Sequence, residues 1–315
     1  MGRKEEYLSV LPGVGDHPGV WLSTFVAGIH DFPTHVAGHP PLAVLVFWAL
    51  AKIGLAGPGW ASALCIVAGS SATSAVLVVL RTLGDEDRAR RTVPYLAIAP
   101  FVLTIATSAD AVFLGVSAWG IAALAVAARR RSATLGVVGG LLLGATIYLS
   151  YGLIVVGAIA IAVLVLQWSP RVAVAAVLGA LAVAAAFTAS GFWWVDGVRA
   201  TAVRWDAGTG SDRPYAFTVF GNLAVLAVIA GPACAAALGW VRDRATILLA
   251  GAAAVAVLAL DLSGVTRGEV ERIWLPFAPW LVLLCGALPV RAMRTALAAQ
   301  IVVALAVEGI LALSW

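Results

Sequence analysis

Long runs of Ala, Val, Leu and Ile, interrupted by short clusters of arginine, dominate the pattern along the chain. Read by length, they predict ten membrane-crossing segments, at 60–80, 92–107, 111–128, 132–149, 151–167, 172–192, 217–240, 245–262, 273–290 and 295–313. A straight crossing needs roughly 20 apolar residues, and several of these runs are shorter, so their ends are soft by a few positions. Pro94 and Pro100 predict kinks in the second segment, tolerable where neighbouring helices cover the freed carbonyls. Gly136, Gly140 and Gly144 share one helix face, a spacing that lets a second helix approach closely.

The arginine clusters set the expected topology. Arg81 with Arg88, Arg90 and Arg91 forms the first break, followed by Arg129 to Arg131, Arg171, Arg242 with Arg244, and Arg291 with Arg294. Two predicted spans separate each break from the next, so all five share one side. That side holds 12 Arg against the four acids Asp85, Glu86, Asp87 and Asp243, a net of +8. The opposite side holds the other 8 basic residues against 12 acids, a net of −4. Positively charged loops stay cytoplasmic, which makes the Arg-rich loops the inner ones of a multi-pass cell-membrane protein.

The segment 42–56 offers only about 15 residues, too few for a crossing. It follows Pro40 and Pro41, contains Lys52 and ends in Gly57, Pro58 and Gly59, so it predicts an interfacial helix. The expected layout is an external region over 1–59 with this juxtamembrane helix, then a transmembrane bundle over 60–315 carrying an external loop at 193–216. On that topology the opening MGRKEEYL reads as the middle of a loop, and a further membrane helix is expected to precede it.

Composition sharpens the class. Of 315 residues, 62% are apolar and 11% charged, and the mean hydropathy is +1.00. A soluble domain carries about 25% charged residues, so a soluble enzyme is excluded and an all-α, polytopic helical membrane protein of about ten transmembrane helices is expected. The net charge of +4 and pI near 9.2 reside in the Arg breaks and speak for membrane topology, with no nucleic-acid partner. Cys65, Cys234 and Cys285 lie in separate apolar runs and read as small buried hydrophobes, with neither a disulfide framework nor a zinc site.

The few polar residues mark the candidate chemistry. His17, His30, His35 and His39 all fall in the first 40 residues, together with Glu5, Glu6, Asp16 and Asp31. Such a concentration of titratable groups beside an apolar bundle is either a site or a solvated loop. Asp31, His35 and His39 have the helical spacing of metal ligands, but Pro33, Gly38, Pro40 and Pro41 interrupt a helix there. A divalent metal is therefore the lesser reading; a rigid turn aiming His39 at a substrate is the greater, and no cofactor is required. Ser108 and Asp110 read as a helix N-cap near Ala111 or as polar contacts lining a cavity. Tyr148, Ser150 and Tyr151 read as interfacial anchors.

Two further segments belong to the same predicted side. Trp193, Trp194 and Trp205 are membrane anchors or a stacking platform for a sugar ring, and Arg199, Arg204 and Arg213 alternate with Asp196, Asp206 and Asp212 as surface pairs. Arg267, Glu269, Glu271 and Arg272 crowd the entrance to the span at 273–290. An arginine fork there suits a phosphate, unless it only anchors the helix by snorkelling.

His39-Pro40-Pro41-Leu42 after an acidic loop, Ser108-Ala109-Asp110 at a helix end, and Glu271-Arg272 followed by Pro276 and Pro279 resemble polytopic glycosyltransferases of the GT-C fold. Protein O-mannosyltransferases and lipid A aminoarabinose transferases belong to that superfamily. The resemblance runs from about Glu5 to Trp280 in short motifs whose order carries it. It implies a polyprenyl-phosphate-linked sugar as donor, juxtamembrane helices in the first external loop, and an early catalytic carboxylate. That carboxylate would match Glu5 or Glu6, with Asp31 as the second acidic position. Substrate contacts would come from His39, Asp110, Arg267, Arg272 and Trp205, with Arg272 first in line for the phosphate. The acceptor would be a cell-envelope glycan, lipid or protein, and membrane lipid a further partner. Two other classes fit the same pattern: a transporter or lipid-carrier flippase, which would place ionisable groups at mid-membrane beside broken helices, and a non-catalytic membrane scaffold.

Overall fold

The computed structural model describes residues 7–106, 108–208 and 212–310. Every regular element among them is helical. Five helices are long and apolar enough to cross a membrane: Pro58–Thr82, Asp110–Arg130, Pro170–Ala189, Arg244–Leu262 and Val290–Ile310. The chain is thus an all-helical protein with several helices of membrane-spanning length.

The ten expected crossings are not ten single helices. Ala133–Leu149, Tyr151–Leu166 and Ala278–Ala287 are shorter apolar helices. The run 92–107 divides into Glu86–Ile98 and Pro100–Thr104. Pro94 sits inside the first of these without ending it; the break falls at Ala99, held extended by the following Pro100 (φ −59°, ψ 142°). The run 217–240 bends by 86° between Tyr215–Ala230 and Pro232–Trp240. Gly231 (φ 84°) and Pro232 turn the chain there, and Gln300 of the last helix repairs the break. Its Nε2 donates to Ala230 O (2.8 Å) and its Oε1 accepts from Ala233 N–H (3.2 Å).

Small residues set the closest packing. Ala133–Leu149 lies between Asp110–Arg130 and Pro170–Ala189. A Cβ on Gly144 would come within 2.9 Å of Ala180 Cα, and one on Gly140 would overlap the Ala176 carbonyl. The Gly136, Gly140 and Gly144 face is therefore where the Pro170–Ala189 backbone approaches, as their spacing predicts. The three cysteines are buried, as expected, and two of them are also neighbours: Cys234 and Cys285 meet with Sγ atoms 3.5 Å apart, because the bend at Gly231 turns Pro232–Ala237 onto the 283–287 turn.

The Arg-bearing breaks gather at one end of the bundle. Arg88 pairs with Asp85 (2.8 Å) and Asp243 (2.7 Å), Gln167 donates to Thr82 O (3.0 Å), and Arg291 covers Trp240 at 6.0 Å. At the other end an N-terminal cap is built from short helices, among them Pro18–Thr24 and Thr34–Ala37. Leu42–Lys52 follows and packs Ala43, Val44 and Phe47 inward. Its 11 residues span about 16 Å, half the hydrocarbon core, so it is too short to cross.

One segment expected to be a loop is ordered differently. Most of 193–216 is the helix Trp194–Asp206, whose mixed polar sequence hides it from a search for apolar runs. Arg204 ties this helix to the cap by donating to His30 O (2.6 Å) and Phe32 O (2.7 Å), while Thr201 donates to Ala37 O (2.9 Å).

Candidate functional site

Three stretches far apart in the chain meet beneath the cap. The first is the start of the Asp110–Arg130 helix. Ser108 Oγ accepts the Asp110 backbone N–H (3.1 Å) and its hydroxyl donates to Asp110 Oδ2, so the helix start fixes the carboxylate. The second is the turn before the one-turn helix Val270–Ile273. Gly268 (φ 114°) leads into Glu269, which is left-handed at φ 56° although it carries a side chain. That reversal turns the Glu269 carboxylate back onto Arg272 three residues on. The third is the cap turn Thr34–Ala37, followed by Gly38, His39 and the Pro40-Pro41 pair.

Arg272 is the centre. Its Nη1 donates to Asp110 Oδ2 at 3.0 Å, and its Nη2 donates to Glu269 and to His35 Nδ1 at 3.2 Å. The Arg272 and Asp110 side chains are only 9% and 5% exposed, whereas Glu269 is 41% exposed. Burial works against the Arg272 charge, but the Asp110 and Glu269 carboxylates outweigh it and push its pKa up, so the guanidinium stays charged.

Two histidines of the cap, His35 and His39, are held toward the neutral form. Burial and the adjacent Arg272 charge bring His35 down to about 4. A guanidinium only donates, so His35 Nδ1 is an acceptor and its proton sits on Nε2. Burial also lowers His39, although Asp110 opposes the shift. His39 Nδ1–H donates to His35 O (2.8 Å), which leaves Nε2 as the basic nitrogen. Its ring packs edge-on against Tyr7 (5.9 Å) and tilted against Phe113 (5.6 Å). Glu271, next to Arg272 in the chain, is half-buried, and burial raises its carboxyl pKa.

Of the residues singled out from sequence, His39, Asp110 and Arg272 come together. Arg267 braces the preceding loop: its Nε donates to Gly264 O (2.9 Å), its Nη1 to Arg213 O (3.0 Å), and its guanidinium lies 5.9 Å from the Tyr215 ring. Trp205 is half-buried on Trp194–Asp206 and shares no ring contact or hydrogen bond with the cluster. Trp193 is exposed and Trp194 donates to Ile147 O (3.2 Å), so the three tryptophans have separate surroundings. Asp31 is exposed and forms no ion pair among the described residues. Glu5 and Glu6 lie outside the described residues.

Sequence reasoning read His35 only as part of a metal spacing. The helical turn begins after Pro33, leaving Asp31 out of it, and His35 turns to Arg272 instead. Among the described residues no group of three or more His, Cys, Asp and Glu is placed to hold a metal ion. A second polar contact was not anticipated. Asp261, buried near the end of Arg244–Leu262, accepts from Asn222 Nδ2 (2.9 Å), which also donates to Thr266 O (2.8 Å).

These features define a helical, membrane-type protein with a buried, charge-compensated arginine centre under a cap at one end. No protein-family model, curated protein or solved structure matches the chain.

Proposed function

We propose that this chain is a membrane glycosyltransferase-like protein that moves a sugar from a polyprenyl-phosphate donor to a cell-envelope acceptor, a glycan, lipid or protein. In this reading the Arg-rich breaks are cytoplasmic and the capped end faces outward, in accord with their charge. The observation that carries the proposal is the junction of His35, Asp110, Glu269 and Arg272, drawn from three distant stretches at the end opposite the Arg breaks.

The chemistry is a substitution at the anomeric carbon. An acceptor oxygen attacks, the bond from carbon to phosphate oxygen breaks, and the lipid phosphate leaves with the electron pair. Arg272 stabilises the charge growing on that phosphate, with Asp110 holding the guanidinium in register. Glu271 takes the acceptor proton, a contribution of roughly 10²–10⁴-fold for a well-placed general base. The apolar helices supply the surface on which the isoprenoid chain rests.

A transporter is less well supported. The bent helix, where such a protein would hold an ion, is closed by the neutral amide of Gln300.

The test is transfer from a radiolabelled prenyl-phosphate sugar by the protein in liposomes. Arg272→Ala should abolish transfer, and Glu271→Gln should lower kcat with little change in KM. Unimpaired transfer by folded Arg272→Ala protein rejects the proposal.

A further inference from the structure

The two carboxylates on Arg272 are not equivalent. Asp110 is buried, starts a long helix and is held by the Ser108 hydroxyl. Glu269 is nearly half exposed, and Arg272 is the sole ion-pair or hydrogen-bond partner of its carboxylate among the described residues. Its left-handed backbone is one that glycine adopts freely and a side-chain-bearing residue does not. A position that favours glycine thus carries an anion aimed at a buried cation.

We propose that Glu269 is a built-in stand-in for a substrate phosphate. It occupies the Nη2 side of Arg272, beside the Asp110 pair, while the site is empty and swings into water when a phosphate takes its place. The inference rests on the reading of Arg272 as the phosphate-binding residue. Displacement favours an incoming group with more charge than the carboxylate it replaces. A sugar-linked prenyl phosphate is a diester with one charge, whereas the lipid phosphate released by transfer is a monoester with up to two charges and three acceptor oxygens, so displacement of Glu269 strengthens as the phosphate leaves the sugar. Asp110 stays in place throughout, because moving it would strand a buried guanidinium. His35, neutral and accepting from the same Nη2, keeps that edge of the fork pointed at the exchange position without adding charge.

The experiment measures binding of geranylgeranyl phosphate, geranylgeraniol and inorganic phosphate to the full chain in nanodiscs. Glu269→Gln removes the competing charge and should tighten geranylgeranyl phosphate binding by about tenfold, the effect of one charge-assisted contact. Glu269→Gly should do the same and keep the melting temperature, since φ 56° suits glycine. A purely structural role for Glu269 would weaken binding in both variants. If Arg272→Ala binds the prenyl phosphate as well as the unsubstituted protein does, the phosphate-site reading fails. If Arg272→Ala loses binding while Glu269→Gln and Glu269→Gly bind no more tightly than the unsubstituted protein, only the stand-in fails. Tightening for inorganic phosphate as well as for the lipid supports displacement by the phosphate group itself; tightening confined to the lipid phosphate supports a site that takes it from the membrane. Tightening of geranylgeraniol, which has no phosphate, overturns the proposal.

Discussion

Arg272 and Asp110, 162 positions apart in sequence, form an ion pair of 3.0 Å that is almost wholly out of water. Such a pair is weak evidence for stability as a whole, because both charges had to be desolvated, but breaking it from one side strands the other charge. The pair joins the start of a long helix to the one-turn helix Val270–Ile273, so it also fixes how those elements meet.

Replacing Asp110 by Ala should therefore destabilise the protein by about 3–5 kcal/mol, because Arg272 loses its buried counter-charge while its pair with Glu269 is half exposed to water. Arg272→Met alone should also destabilise, whereas Asp110→Ala with Arg272→Met should lose less than the sum of the two. Unfolding in a denaturing detergent series, run as a double-mutant cycle, measures the coupling. Additive single effects would show that the two side chains do not interact.

The cap should loosen in acid. His35 has a folded pKa lowered to about 4 from 6.5, so below 6.5 the unfolded chain binds a proton that the folded chain refuses. Its contribution is present above pH 6.5 and is lost as pH falls toward 4. His39 acts in the same direction, and both rings face the same charged groups, Arg272, Asp110 and Glu269. Melting temperatures between pH 7 and 5, a range above the ordinary carboxylate pKa values, should fall with acidity. His35→Gln should flatten that slope; an unchanged slope would assign the acid sensitivity elsewhere.

Glycine spacing makes a prediction about packing. Gly140→Ala places a methyl where the Ala176 carbonyl lies, so Ala133–Leu149 and Pro170–Ala189 must separate, at a cost of about 1–3 kcal/mol. Gly157→Ala is the control, since nothing lies within 4 Å of its added Cβ. Thermal unfolding of the two variants side by side should show a drop for the first alone.

The ends of the bundle were legible because arginine is expensive in lipid, and the breaks it marks do collect at one end through contacts such as Arg88–Asp243. Gly136, Gly140 and Gly144 were legible for the same kind of reason: small residues at helical spacing have few uses other than close approach. Partner choice was not legible. Nothing local to His35 points to Arg272, and the metal-like spacing to Asp31 and His39 pointed elsewhere; long-range packing decided the contact. Hydropathy was also blind to Trp194–Asp206, an amphipathic helix of mixed charge. It read 217–240 as one crossing although Gly231-Pro232 carries a turn signal, because the apolar run continues through the bend.

That bend supplies the last prediction. A helix broken inside an apolar bundle exposes backbone groups that water is not there to satisfy. Here one side chain from another helix does so: the Gln300 amide donates to the Ala230 carbonyl and accepts from Ala233 N–H, and Gln300 is fully buried. Gln300→Leu keeps much of the volume but leaves both backbone groups without their side-chain partner, at about 1–3 kcal/mol each. Gln300→Glu keeps the acceptor for Ala233 but sets a carboxyl against the Ala230 carbonyl, so it should be tolerated only when protonated. Its melting temperature should therefore rise relative to the unsubstituted protein as pH is lowered, while that of Gln300→Leu should stay depressed throughout. Equal stability of all three proteins across that range would mean that the bend is held by Gly231 and Pro232 alone, with the glutamine as mere filling.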